Sequence, residues 1–266
     1  MRIFVIRHGE SQANIDSNIY KNIADHDIAL SSRGKEQAEE AGYILKKFID
    51  QNPPKPPASN MMAQQIMGSL LNFAGQQGHD FAKMQQSMFK ARLWNSPYRR
   101  TRETAEIIGK IIEPHIKDTK EDVLLCEQQF GMFDGMSVEE QANIFPQESK
   151  CLERQKKSNG KFWARFPMGE SPFDTAVRIR MFFGTLKRDE ENGITDHIVI
   201  CHGTVLKLFT MMWMHHKYEW FDAEECPGNC AIRLIDNNDQ GSYVDRGYIF
   251  GGYNDGKVCK YKRNTF

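Results

Sequence analysis

Short apolar runs alternate with longer amphipathic stretches along this chain. Ile3, Phe4, Val5 and Ile6 are β-branched or aromatic, too few for a helix and suited to a buried strand. Comparable patterning predicts strands at 2–6, 91–96 (ARLWNS), 122–126 (DVLLC), 197–201 (HIVIC) and 231–236 (AIRLID). Between most of them the period becomes helical. SSRGKEQAEEAGYILKKFID repeats Ala38, Ala41, Ile44, Leu45 and Phe48, the stripe of an amphipathic helix, and RRTRETAEIIGKII reads the same way. In GESPFDTAVRIRMFFGTL, Ser171 can cap a helix, Pro172 suits its first turn and Asp174 its positive end. Strands alternating with helices predict a doubly wound α/β sheet.

The alternation breaks at NPPKPPASN, which no helix can cross. The segment that follows is rich in Met and Gln, with Met62, Ile66, Leu70 and Phe73 at helical spacing. Two readings fit it: an inserted helix packed on the core, and a mobile lid or docking helix, since Met-rich faces repack around different partners. The expected organisation is a single domain over 1–266 with an insertion at about 51–90.

Composition narrows the field. A chain of 266 residues can bury one substantial core, and 35 basic against 35 acidic residues leave no net charge. The global basic field of a nucleic-acid binder is absent, so no nucleic-acid partner is expected and any anion site must be local. No apolar run approaches the roughly 18 residues of a membrane span, and residues 3–6 run straight into polar groups rather than into a secretory leader. Six cysteines are scattered without framework spacing, and the pair Cys226 and Cys230 has no second pair at zinc-finger distance. A reduced, cytoplasmic protein without a metal or other cofactor is expected.

Candidate chemistry gathers where the strands stop. RHGESQAN (7–14), SPYRRTRETA (96–105) and CHGTVLKLF (201–209) each begin where a predicted strand ends, and CEQQFGMFDG (126–135) straddles such an end. Open α/β sheets bind ligands at that carboxyl edge. A phosphoryl group in transfer spreads negative charge over its oxygens, so it needs positioning and electrostatic stabilisation. Arginine provides both through its planar fork. Two arginines and two histidines converging on one edge form such a cradle. Gly9 would let the backbone approach the ligand, and the N–H groups after it could add donors.

These residues resemble the histidine phosphatase superfamily, which includes cofactor-dependent phosphoglycerate mutases. The resemblance rests on RHGE, SPYxRTxxTA, an E-x-x-x-G segment, GES before a helix and a late strand ending in HG. YKNIADHDIALSSRGKEQA, EQQFGMFDG, RFPMGES and PGNCAIRLI are further similar to the branch with fungal broad-range acid phosphatase and plant phosphoglycerate-mutase-like proteins. It implies a three-layer α/β/α fold with a mostly parallel central sheet, phosphoglycerate mutase-like. It also implies a small phosphorylated substrate, with His8 as a nucleophile that becomes phosphohistidine. Arg7, Arg100 and His202 would hold the phosphoryl oxygens together with Asn14. Glu127 would be the proton donor to the leaving group and later the base for water.

Departures from the pattern bear on activity. Ala13 stands where mutases usually carry Trp, QQFG follows Glu127 in place of Arg-His-Tyr-Gly, and Cys126 replaces an Arg common in the closest branch. These features favour a metal-independent phosphomonoester hydrolase. A phosphoglycerate mutase and a non-catalytic phospho-ligand-binding module are the alternatives. Residues 15–30 and 130–170 are expected to wall the mouth, where Lys21, His26, Arg154, Lys156, Lys157, Lys161 and Arg165 could favour a second anionic group.

Overall fold

A computed structural model describes residues 1–53, 91–237, 242–254 and 257–258. The Pro/Met/Gln-rich segment is largely outside the described residues. Along the chain come β1 (Arg2–Arg7), the short α1 (Gln12–Ile15), α2 (Ser32–Gln51), β2 (Ala91–Asn95), α3 (Arg99–Ile111) and β3 (Ile116–Glu121). They are followed by α4 (Val138–Ile144), α5 (Pro146–Asn159), α6 (Pro172–Glu191), β4 (Asp196–Cys201), α7 (Gly203–Trp213) and α8 (Tyr218–Ala223). The described chain ends in β5 (Ile232–Asn237), β6 (Tyr243–Phe250), and the short β7 (Tyr253–Asn254) and β8 (Lys257–Val258).

The main sheet has six strands in the order β3-β2-β4-β1-β5-β6. β3, β2, β4 and β1 run parallel, and β5 and β6 complete the sheet antiparallel. Successive residues of β1 point to opposite faces. Phe4 and Ile6 meet Ala38, Ala41 and Leu45 of α2 and Ala105 and Ile108 of α3, while Ile3 and Val5 meet Ala176, Ile179 and Phe182 of α6 and Val205 and Leu208 of α7. The result is the expected three-layer α/β/α sandwich with a mostly parallel sheet. α2 and α3 pack so closely that a Cβ on Gly42 would lie 2.7 Å from the Ile111 side chain.

Three of the expected strands are where the patterning puts them, apart from a residue at an end, and β5 is shifted by one. The run 122–126 is not a strand. Val123–Leu125 forms a 3₁₀ turn that anchors itself by burying Leu125, and the true strand beside β2 is Ile116–Glu121. That strand lies at the sheet edge and is largely exposed, so its sequence, IKDTKE, carries no apolar run. α6 begins as its sequence predicts. The Ser171 hydroxyl accepts from the Asp174 N–H and the Asp174 carboxylate accepts from the Ser171 N–H, at 3.2 and 2.8 Å.

Candidate active site

Strand register builds the site. Arg7 of β1 pairs with Cys201 of β4, so His8 and His202, the next residues, emerge side by side past the strand ends. Their rings meet edge to face with centroids 5.3 Å apart. On the other side of β4, Asn95 pairs with Ile200, which brings Ser96 beside His202. The Ser96 hydroxyl lies 2.9 Å from His202 Nε2. Arg100 sits in the first turn of α3, just beyond β2, with its guanidinium 4.8 Å from the centre of the Tyr98 ring. His8, Arg100 and His202 are 5 %, 4 % and 0 % exposed, so the charged and polar cluster lies within protein rather than on a solvated surface.

His8 Nδ1 lies 2.7 Å from the carbonyl oxygen of Gly9. A carbonyl only accepts, so Nδ1 carries the proton and the lone pair is on Nε2. Burial, then Arg100, then Arg7 drive the His8 pKa well below the ordinary histidine range, with the Gly9 carbonyl pulling the other way. Burial, Arg100 and His8 act likewise on His202, and both rings are neutral. His202 Nδ1 and Arg7 Nε are buried without a hydrogen-bond partner among the described residues. Buried polar atoms normally find partners, so both are open to one within the cluster. Arg7 is held through Nη1 by the Pro227 carbonyl at 2.5 Å and packs against Gly203 at the start of α7.

Glu127 reaches the cluster from the segment after the 3₁₀ turn, not from a strand end as expected. Its partly buried carboxyl accepts from the N–H groups of Gln128 and Thr204. Desolvation nevertheless outweighs these donors and the nearby Arg100 and Arg7, and raises Glu127 above the usual carboxyl range. Arg178 of α6 fixes this segment, donating to the carbonyls of Leu124 at 2.7 Å and Glu127 at 3.0 Å while paired with Glu170 at 2.8 Å. The Glu170 carboxylate is consumed by that pair and by the Gln129 N–H, a structural role.

Two expectations about the first loop are overturned. Gly9 does not make room for a ligand: a Cβ there would stand 2.4 Å from the carbonyl oxygen of Gly34, so the residue lets the loop cross α2. The N–H groups that follow are already used. Gly9 donates to Thr104 Oγ1 at 3.1 Å, Glu10 to Gln37 Oε1 at 2.9 Å and Ser11 to Asn14 Oδ1 at 2.9 Å. Asn14 is therefore a capping residue through its carbonyl oxygen. The expected cationic mouth is also reduced, since Lys21 pairs with Glu140, Lys156 with Glu153 and Arg165 with Asp174.

Sequence reasoning missed Ser96 as the partner of His202, Arg178 as the brace of Glu127, and Asp25, whose carboxylate holds Arg100 at 2.7 Å. All three lie within the quoted motifs or beside them, but their partners are distant in sequence. Among the described residues no group of three or more His, Cys, Asp or Glu is arranged to hold a metal ion, and no helix is long and apolar enough to cross a membrane.

A family model described as the histidine phosphatase superfamily (branch 1) matches residues 3–52 and 64–248. The chain belongs to the histidine phosphatase superfamily. Within it, the chain is 28 % identical over 251 residues to the phosphoglycerate mutase-like protein AT74 of Arabidopsis thaliana, covering 91 % of this chain but 66 % of that protein. The match thus spans just under two thirds of that relative's length. A broad-range acid phosphatase of Saccharomyces cerevisiae, DET1, is 26 % identical over 287 residues, covering 88 % of this chain and 84 % of the yeast protein. In structure, a mycobacterial glucosyl-3-phosphoglycerate phosphatase complexed with VO3 superposes with a TM-score of 0.62 at 18 % identity, covering 95 % and 99 % of the two chains. That likeness shows the histidine phosphatase fold.

Proposed function

We propose that this protein is a phosphomonoester hydrolase, broad-range acid phosphatase-like, that works through a covalent phosphohistidine on His8 and needs no metal. The observation that carries the reading is the pairing of opposite protonation states in one cluster. A neutral His8 with its lone pair on Nε2 lies within the field of Arg100 and Arg7, and a carboxyl held toward its protonated form lies within the field of the same arginines. A pure binding module needs neither.

In the first step the Nε2 lone pair of His8 attacks phosphorus and the P–O ester bond breaks. The Glu127 proton goes to the departing oxygen. Arg7, Arg100, Asn14 and His202 hold the other phosphoryl oxygens. With the Ser96 hydroxyl as donor to His202 Nε2, the His202 proton sits on the unpartnered Nδ1, from which it can be donated to a phosphoryl oxygen. In the second step Glu127 takes a proton from water, the water oxygen attacks phosphorus and the P–N bond breaks. Phosphate leaves with His8 neutral again. The acid phosphatase among the relatives supports the hydrolase reading, as does QQFG after Glu127. We read the chain as one cytoplasmic domain carrying its insertion at about 51–90.

Rapid alkaline quenching followed by mass spectrometry tests this, because phosphohistidine survives base. Transient phosphate on His8 during aryl phosphate hydrolysis is expected, together with no hydrolysis by a folded His8→Ala variant. Turnover by that variant, or turnover that depends on added metal after chelation, overturns the reading. Efficient conversion of 3- to 2-phosphoglycerate with phosphate conserved would replace it with the mutase.

A further inference from the structure

The geometry points to Asp25 as the residue that sets the charge this site accepts on the rest of the substrate: it excludes a second anion and admits an uncharged leaving group. The inference rests on the reading of Arg100 as a phosphoryl clamp. Arg100 Nη1 donates to the carbonyl oxygen of Asp25 at 2.7 Å and to its Oδ1 at 2.7 Å, and Nη2 donates to Oδ2 at 3.3 Å. The Asp25 carboxylate therefore takes the terminal edge of the guanidinium. The lateral edge, Nε with the second Nη2 proton, has no acceptor among the described residues and is the fork left for a phosphoryl group.

Asp25 is the outer member of this pair. The Arg100 side chain is 5 % exposed and that of Asp25 26 %, so a fixed negative charge stands between the clamp and solvent. A second carboxylate stands nearby. Tyr20 packs against the backbone of Gly135, where a Cβ would lie 2.3 Å from the tyrosine Cβ, and this contact joins the Asp25 segment to the one carrying Asp134. Burial and then the Asp25 charge raise the pKa of Asp134, as expected for neighbouring carboxylates. Lys21, on the same segment, is committed to Glu140 at 3.2 Å. Two arginines match one phosphoryl dianion, and of the cations expected at the mouth Lys21, Lys156 and Arg165 are already paired with carboxylates. Such a group would meet Asp25.

Glycerol 3-phosphate and 3-phosphoglycerate test this, because they differ in one hydroxymethyl group exchanged for a carboxylate. Binding of both is measured by calorimetry to the His8→Ala variant, which keeps the esters intact, with and without Asp25→Asn. The asparagine keeps an oxygen for Arg100 and removes the charge. We expect about a tenfold preference for the glycerol ester at low salt, shrinking as salt rises from about 0.01 to about 0.5 M, and collapsing toward unity with Asp25→Asn. A preference unchanged by Asp25→Asn overturns the proposal. A preference for the carboxylate ester that weakens with salt, seen without Asp25→Asn and so independent of whether that substitution folds, overturns it too. Aryl phosphate hydrolysis by the wild type, run in parallel, separates this failure from failure of the phosphatase reading itself.

Discussion

His8 Nδ1 donates to the carbonyl oxygen of Gly9, the next residue, at 2.7 Å. The bond fixes the tautomer, and burial with Arg100 and Arg7 fixes the charge. An imidazole in free solution is mostly protonated at pH 5, but this one stays neutral well into the acid range.

This sets a pH profile. His8 has a depressed pKa, so its reactive neutral form persists as pH falls and is lost only well below the usual histidine range. Glu127 has a raised pKa, so its acid form persists above the usual carboxyl range and is lost as pH rises. Both limbs open the window on the acid side of neutrality. A kcat/KM profile for an alkyl phosphate should peak below pH 7, and Glu127→Gln should remove the alkaline limb. An optimum at pH 8 or above would sink the pairing of roles.

Leaving-group chemistry checks Glu127 separately. An alkoxide leaves poorly unless protonated, whereas a nitrophenolate needs little help. Glu127→Gln should therefore slow alkyl phosphate hydrolysis by about a hundredfold or more, within the range of acid–base contributions, and nitrophenyl phosphate much less. Phosphohistidine should accumulate in the variant because the base for water is missing. Equal losses on both substrates would assign the proton to another group.

Gly9 offers a structural test of the same loop. A Cβ there would lie 2.4 Å from the Gly34 carbonyl oxygen, and one on Gly34 would lie 2.0 Å from that of Glu10, so backbone meets backbone. Gly9→Ala should cost about 1–3 kcal/mol as an overpacking change and disturb the carbonyl that holds His8. Loss in kcat should exceed loss in binding. In Gly109→Ala, where the nearest atoms are side-chain carbons at 3.8 and 4.0 Å, stability should rise by roughly 0.5–1 kcal/mol, as for glycine in a helix interior. Denaturant melts of the two variants decide it, and a Gly9→Ala protein as stable as wild type would show that the loop has room.

What the sequence made legible follows burial. β1, β2 and β4 are central strands covered on both faces, so their runs stand out, and the residues after them are the site. Ser171 and Asp174 were readable because a capping box is local. β3 and β6 were not, since an edge strand and a half-exposed one carry polar residues. The ion pair of Arg100 with Asp25 and the bond of His202 to Ser96 were also hidden, being fixed by strand register and loop docking rather than by spacing. The N–H of Glu10, after Gly9, read as a free donor because nothing local reveals Gln37 as its acceptor.

Far from the site, His197 at the start of β4 limits stability in acid. It is fully buried beside Arg92, and neither ring nitrogen has a hydrogen-bond partner among the described residues. Asp189 Oδ2 is 3.9 Å from Nδ1, too far for a hydrogen bond. Burial first, then Arg92 and the N-terminal ammonium, hold the His197 pKa at about 3. In the unfolded chain the same ring titrates near 6.5. Above that value it is neutral in both states and costs nothing. Below it the unfolded chain binds a proton the folded protein refuses, so stability falls as pH drops toward the folded pKa, by about 1.4 kcal/mol per unit. From pH 6.5 to 5 this one residue should remove about 2 kcal/mol. His197→Leu replaces the ring with an apolar side chain that cannot titrate. The free-energy difference between variant and wild type, measured by denaturant melts at pH 7, 6 and 5, should shift in favour of the variant as pH falls. A difference that stays constant over that range would mean that His197 takes up its proton as readily in the folded protein as in the unfolded chain, and that the N-terminal end of the sheet tolerates its charge.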